Sequence, residues 1–333
     1  MTADQTLPDF ARRLVNLASP RLGSEAVSAS DEFFAPRERL LEDATPVFIP
    51  DKFDAHGKWM DGWESRRRRD GGHDFCIIRL GVKGIVHGVD IDTSHFTGNY
   101  PPAASIDACL SDAEPGPDAV WHEVLAPAPL GPSAHHYLPV SPSGPFSYLR
   151  LHIYPDGGVA RLRVYGEPVA SWEGAARDEV HELSALRNGG RIVAYNDAHY
   201  GTVWTLLTEG RGRDMGDGWE TRRRREPGND WIIVRLGAAG LVERIIVDTC
   251  HFKGNYPDRA SLQAAFVEAG TDDSIVTQSM FWPELLPSQK LSADAVHEFT
   301  GEAITPLGPV NHVKLNIFPD GGVSRLRIFG RLS

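Results

Sequence analysis

The chain repeats itself, and a duplication on this scale limits its possible folds more than any other feature. DGWESRRRR at residues 61–69 recurs as DGWETRRRR at 217–225, 156 positions later. At the same offset IIRLG (77–81) returns as IVRLG (233–237), and DTSHFTGNYP (92–101) as DTCHFKGNYP (248–257). IYPDGGV (153–159) matches IFPDGGV (317–323) at an offset of 164, and Ser30-Asp31 matches Asn196-Asp197 at 166. Five matches in one order mean an internal duplication. The drifting offset places about ten extra residues between Phe34 and Asp61, and about eight between Pro257 and Asn316, where surface loops are expected. The reading is an N-terminal extension over 1–16, a first repeat over 17–166, a linker over 167–182 and a second repeat over 183–333. Each repeat is far longer than a solenoid unit and therefore needs its own core.

Within a repeat the segments are short and β-like. Phe75–Leu80 is an apolar run ended by Gly81, and 84–93 alternates through Ile85, Val89, Ile91 and Thr93. Pro155-Asp156-Gly157-Gly158 is a strong turn signal before an alternating run that puts Arg161 and Arg163 opposite Leu162 and Val164. Gly 33 and Pro 24 together are about 17% of the chain, above the roughly 12% of average usage, which favours a loop-rich all-β architecture. The expectation is two tandem antiparallel β-sandwiches. Short helices are expected only within Met1–Leu17 and over Pro101–Leu110, with a counterpart over Pro257–Glu268.

A net charge of −11 argues against a nucleic-acid-coating protein, and no apolar run approaches the ~20 residues of a membrane span. The N-terminal segment lacks the apolar core of a signal peptide. Cys76, Cys109 and Cys250 form no CxxC pair and read as reduced thiols, so a cytoplasmic protein is expected.

The paired DGWE(S/T)RRRR and DTxHFxGNYP blocks, with their YPDGG and FPDGG partners, resemble the allantoicase family over nearly the whole chain. The resemblance implies tandem jelly-roll, galactose-binding-like domains. It implies hydrolysis of allantoate to ureidoglycolate and urea in allantoin and purine degradation, and a homo-oligomer. Two rival readings stand beside it: a non-catalytic sandwich binding sugars or ureides, and a related ureide-processing lyase.

Allantoate carries one carboxylate and two ureido arms on a single carbon. Its site needs a guanidinium fork, acceptors for ureido N–H groups, an acid for the leaving nitrogen and a base for water. Arg66 and Arg222 are the expected carboxylate ligands, although the Arg runs could equally pair with Asp70, Asp74 and their counterparts. Glu64 and Glu220 could bind ureido groups, act as bases, or simply bridge to the Arg runs. His95 and His251 titrate in the right range, but strand parity groups His95 with inward-pointing Val89, Ile91 and Thr93. Asp92 and Asp248 lie on the opposite parity. These four, with the two glutamates, form the expected catalytic set. Asn99, Asn255, Tyr100 and Tyr256 could hold ureido groups or shape a turn, and Asp31 and Asp197 could line the same end of the sandwich. Glu123 and Glu284 are a weaker pair, and Arg161, Arg163, Arg325 and Arg327 read as structural.

No HExxH, CxxC or His-x-His spacing occurs, and His135-His136 has no evident partner in the second repeat. No cofactor is therefore expected, with a divalent ion on nearby carboxylates the only open possibility. Because both repeats keep nearly every polar candidate, the sequence allows two sites per chain or one site shared between repeats.

Overall fold

A computed structural model describes residues 7–333. The chain divides into two compact units, one ending at Val169 and the other starting at Ala170. Each is built on one very long strand, Asp74–Asp92 in the first and Asp230–Asp248 in the second. Its burial alternates along Asp74–Val86, the period of a pleated strand with one face in a core.

In the first unit Asp74–Asp92 pairs antiparallel with His135–Tyr154 on one side. On the other side it pairs with Glu25–Ala29 along its first half and with Arg161–Pro168 along its second. Register shifts between Arg79 and Gly88 bend the strand, so its two halves serve the two layers of a sandwich. Ala103–Cys109 and His122–Pro129 extend one layer, while Val15–Asn16 closes the other against Tyr165–Gly166. The second unit repeats this scheme as an eight-stranded sheet. There Val296–Thr300 and Val310–Phe318 replace the single long strand His135–Tyr154. This is the expected tandem jelly-roll β-sandwich, with a core that includes Ile78, Ile91, Leu151, Leu162, Ile233, Val247, Leu315 and Leu326.

The helix expectations need correction. Pro101–Leu110 and Pro257–Glu268 hold the strands Ala103–Cys109 and Arg259–Ala265, because pairing with the neighbouring long strand overrides local propensity. Within Met1–Leu17 a helix covers only Asp9–Arg13, and residues 1–6 lie outside the described residues. The main α-helix, Asp272–Gln278, lies in the longer stretch of the second repeat. The extra residues of the first repeat include a small hairpin, Phe53–Asp54 paired with Gly57–Lys58. All three cysteines are free and buried. Among the described residues no helix is long and apolar enough to cross a membrane.

Candidate active site

Three repeated blocks, distant in sequence, meet at one place in each unit. Trp63-Glu64 pairs with Gly158-Val159, and Trp219-Glu220 with Gly322-Val323. The same glycines reach the GNYP loops: Gly158 N–H donates to the Asn99 carbonyl at 2.7 Å and Gly322 N–H to that of Asn255 at 2.8 Å. Only glycine permits this convergence. A Cβ on Gly158 would stand 1.9 Å from the Phe96 ring, and one on Gly322 2.0 Å from that of Phe252. Gly62 is needed for the same reason: a Cβ there would lie 2.5 Å from the Val159 carbonyl oxygen.

The other motif residues lock this frame. Trp63 and Trp219 are fully buried, and their indole N–H groups donate to the carbonyls of Asp31 and Asp197, both at 2.8 Å. Each aspartate then accepts the backbone N–H of Arg66 or Arg222 at 2.8 Å. Arg161 and Arg325 are buried and bind Asp61 and Asp217 of the DGWE blocks at 3.0 Å, the structural role expected of them. Arg68 and Arg224 are also frame residues. Their backbone N–H groups donate to Asp156 (2.7 Å) and Asp320 (2.8 Å) of the PDGG turns, and their side chains bind Asp74 and Asp230.

On this frame sits a matched carboxylate–amide pair. Asn99 Nδ2 donates to Glu64 Oε1 at 2.7 Å, and Asn255 Nδ2 donates to Glu220 Oε1. Neither asparagine has the left-handed backbone that would mark it as a mere turn residue. In the second unit the pair opens into a cavity of about 790 Å³, lined among others by Glu220, Arg222, Arg223, Asn255, Tyr256, His199 and Tyr200. Arg222 is exposed and only loosely associated with Asp197, at 3.6 Å. Arg223 makes no ion pair among the described residues, so its charge is available to an anion in the cavity.

The first unit builds the same frame with its carboxylate more deeply buried. Glu64 is 8% exposed, whereas Glu220 is half-buried. Arg66 is drawn onto Asp31 at 2.7 Å and lies over the Phe33 ring, 5.0 Å from its centroid. Phe33 in turn stacks on His56 of the hairpin at 4.2 Å. Burial pushes the Glu64 carboxyl above its ordinary value, the Asn99 hydrogen bond opposes this, and Asp54 of the hairpin adds to the rise. For Asp31 burial acts upward, but the N–H groups of Arg66 and Phe33 and the Arg66 guanidinium outweigh it and hold the carboxyl low.

The structure thus brings together Glu64, Asn99, Arg66 and Asp31, and likewise Glu220, Asn255, Tyr256, Arg222 and Asp197. Tyr100 packs instead against the Met60–Phe96–Ala160 cluster. His95, His251, Asp92 and Asp248, expected to be catalytic, stand at the end of the long strand and in the turn that follows it. The chain leaves the strand after Asp92 and Asp248, so strand parity does not extend to the two histidines. Asp92 and Asp248 cap the turn by accepting the N–H of Ser94 and Cys250, both at 2.8 Å. His95 and His251 hold its left-handed position (φ 71° and 73°). Their Nε2 atoms face the carbonyls of Pro46 (3.1 Å) and Gly212 (2.8 Å). Neither His251 nor Asp248 lines the cavity.

Two further readings change. His136 does have a partner, His297: each places Nδ1 on a strand carbonyl (Ile91, Val247) while Nε2 accepts a backbone N–H (Gly131, Ser292). That pattern selects the neutral ring and a structural role. Cys250, His251 and Asp294 lie within metal-ligand spacing of one another. The guanidinium of Arg211 already occupies that group, with Nε 2.8 Å from Cys250 Sγ and Nη2 3.6 Å from Asp294, so a cation there would meet a resident positive charge.

Of the 222–225 run residue reasoning favoured Arg222 over its cavity neighbour Arg223, and it did not single out His199. Arg223 lies inside a run of four, and His199 stands two residues after Asp197 with no motif around it.

A duplicated jelly-roll sandwich thus frames, with its repeated blocks, an open polar cavity lined by Arg222, Arg223 and Arg224 and by Glu220, Asp258 and Asp320, the form of a small-molecule site. The allantoicase repeat model matches residues 15–169 and 181–333. The chain belongs to the allantoicase family. It is 59% identical over 331 residues to a probable allantoicase 2 of Burkholderia pseudomallei, covering 99% of this chain and 98% of that one. It is 57% identical to a probable allantoicase of Ralstonia nicotianae, with the same coverage. The crystal structure of allantoicase from Saccharomyces cerevisiae matches with a TM-score of 0.78 at 36% identity, over 96% of this chain and 94% of that chain.

Proposed function

We propose that this protein hydrolyses allantoate to ureidoglycolate and urea, in allantoin and purine degradation, and that the cavity around Glu220 is where it does so. The observation that carries the placement is that an open cavity joins a held carboxylate to an unpaired guanidinium. Arg223, with Arg222 beside it, binds the substrate carboxylate. Asn255 fixes one Glu220 oxygen, which leaves the other to accept a ureido N–H or the proton of the attacking water. Tyr256 offers a hydroxyl to the ureido oxygens. Water adds its oxygen to the central carbon, the carbon–nitrogen bond breaks, and urea departs with a proton on its nitrogen.

These residues carry the reaction without a metal or cofactor, and the enzyme is expected to act as a cytoplasmic homo-oligomer, as the resemblance implies. The test is urea release from allantoate by purified protein, with and without prior chelation. Urea and ureidoglycolate in equal amounts support the hydrolase, and equal rates after chelation support metal independence. Saturable binding without product would favour the non-catalytic module, and ureidoglycolate consumed rather than formed would favour the lyase.

A further inference from the structure

Hydrolysis at the Glu220 cavity needs a group that gives a proton to the departing nitrogen, and none of the residues placed so far supplies one near neutral pH. Arginine does not release a proton, and tyrosine and glutamate ordinarily titrate far to either side. Histidine is the usual donor in this range. His251, the expected choice, is spent on a backbone carbonyl outside the cavity.

We propose that His199 is a catalytic residue, the general acid that protonates the leaving urea nitrogen, and that its absence from the first repeat confines turnover to the second. This rests on the cavity being the allantoate site. His199 lines that cavity with Glu220. The two are held together by backbone: His199 N–H donates to the Glu220 carbonyl at 2.9 Å and Tyr200 N–H to the same oxygen at 3.3 Å. Its ring packs edge-on against Tyr200, with centroids 4.3 Å apart at 78°.

The second unit's other histidines all commit a ring nitrogen to the protein. His181 binds the Ala176 carbonyl, His251 that of Gly212, His297 that of Val247, and His312 the Asn311 side chain. His199 commits neither among the described residues, so both its nitrogens are available to a ligand. In the first repeat the position two residues after the matched aspartate is Phe33. Matched instead by the hydrogen bond to the glutamate carbonyl, it is Phe34, whose N–H reaches Glu64 at 3.2 Å. By either alignment a hydrocarbon ring stands where the second repeat has an imidazole.

Atoms and protons balance within the site. The His199 imidazolium gives its proton to the ureido nitrogen as the carbon–nitrogen bond breaks. Glu220 takes a proton from water as the carbon–oxygen bond forms. Proton exchange from Glu220 to His199 through solvent resets the site, so no other reactant is needed.

The experiment compares urea release by wild type, His199→Ala and His199→Gln across pH, with and without added imidazole. Because His199 is exposed, both variants are expected to melt as wild type does. Both should lose about 10²- to 10⁴-fold in kcat, the usual contribution of a positioned acid, with a much smaller change in KM. The loss of rate as pH rises through the histidine range should vanish in both, and imidazole should restore part of the alanine variant's rate. Wild-type rates in the variants would overturn the proposal. So would a slow variant that keeps the wild-type pH profile and ignores imidazole, since that pattern is a packing defect. If the alanine variant folds poorly, the glutamine variant and its pH profile decide. A wild-type protein that releases no urea would instead sink the allantoate reading itself.

Discussion

Glu64 and Glu220 occupy the same position on the same frame and take the same hydrogen bond from a matched asparagine, yet their surroundings diverge. Glu64 is buried and its neighbour Arg66 is drawn onto Asp31 and over the Phe33 ring, while the half-buried Glu220 opens on a cavity with His199 and Arg223. A second divergence has the same character. In the first unit His73, His152, Asp107 and Arg150 form a charged relay, with His73 Nε2 2.9 Å from His152 Nδ1 and His152 Nε2 3.0 Å from Asp107. In the second, Asn229, Asn316 and Gln263 run an amide relay through the positions of His73, His152 and Asp107. The duplicated blocks build a frame, and residues between the blocks decide what each frame can do. Repetition of a motif is thus evidence for shared architecture before it is evidence for shared chemistry.

The contrast can be broken most sharply at the glutamates. Glu220→Gln should lower kcat for urea release by about 10²- to 10⁴-fold, whereas Glu64→Gln should cost less than about tenfold. Equal losses in both would mean that both frames turn over substrate. Next in size is the anion contact. Arg223→Ala should raise KM by about 10- to 100-fold with little change in kcat, the range of a charge-assisted hydrogen bond. Arg67→Ala, the matched change in the first unit, should have a smaller effect in the same assay.

Acid should then separate the two units by stability. Burial pushes His312 down to about 4, assisted by Arg235 and Arg191, while the matching first-unit residue is Tyr148. A lowered folded value means the histidine's contribution is in place above its ordinary 6.5 and is lost as pH falls through about 4. His312→Gln should flatten that part of the unfolding curve by up to about 3 kcal/mol, measured by denaturant titration at several pH values. Glu64 works with the opposite sign and a smaller effect. Its raised folded value favours the protonated fold below about 4.5, and that advantage is lost as pH rises through the folded value. Glu64→Gln keeps the acceptor for Asn99 and removes the ionisation, so it should melt above wild type at neutral pH. A lower melting temperature would contradict the burial of that carboxyl.

Much of this was readable from the chain. The duplication, the β-sandwich pattern, the family resemblance and the pairing of Glu64 and Glu220 with arginine- and asparagine-bearing blocks all come from residues adjacent in sequence. Periodicity failed for Ala103–Cys109, where a neighbouring strand overrode a helical expectation, and for the histidines, where the strand ended before the parity rule reached them. Spacing could reveal that His95 and His251 recur. It could not reveal that their ring nitrogens are spent on carbonyls contributed by loops roughly 40 and 50 residues away.

The sequence by itself therefore determined the frame, because glycine, tryptophan and buried arginine leave signatures that repeat with the fold. Only the tertiary structure decided which frame is open. A half-buried Glu220 on a 790 Å³ cavity and a buried Glu64 differ in their packing, with Arg66 held over Phe33 and Phe33 stacked on His56 in the first unit. Those contacts join segments unrelated in sequence, and burial, which sets both access and proton affinity, is a property of the packed molecule.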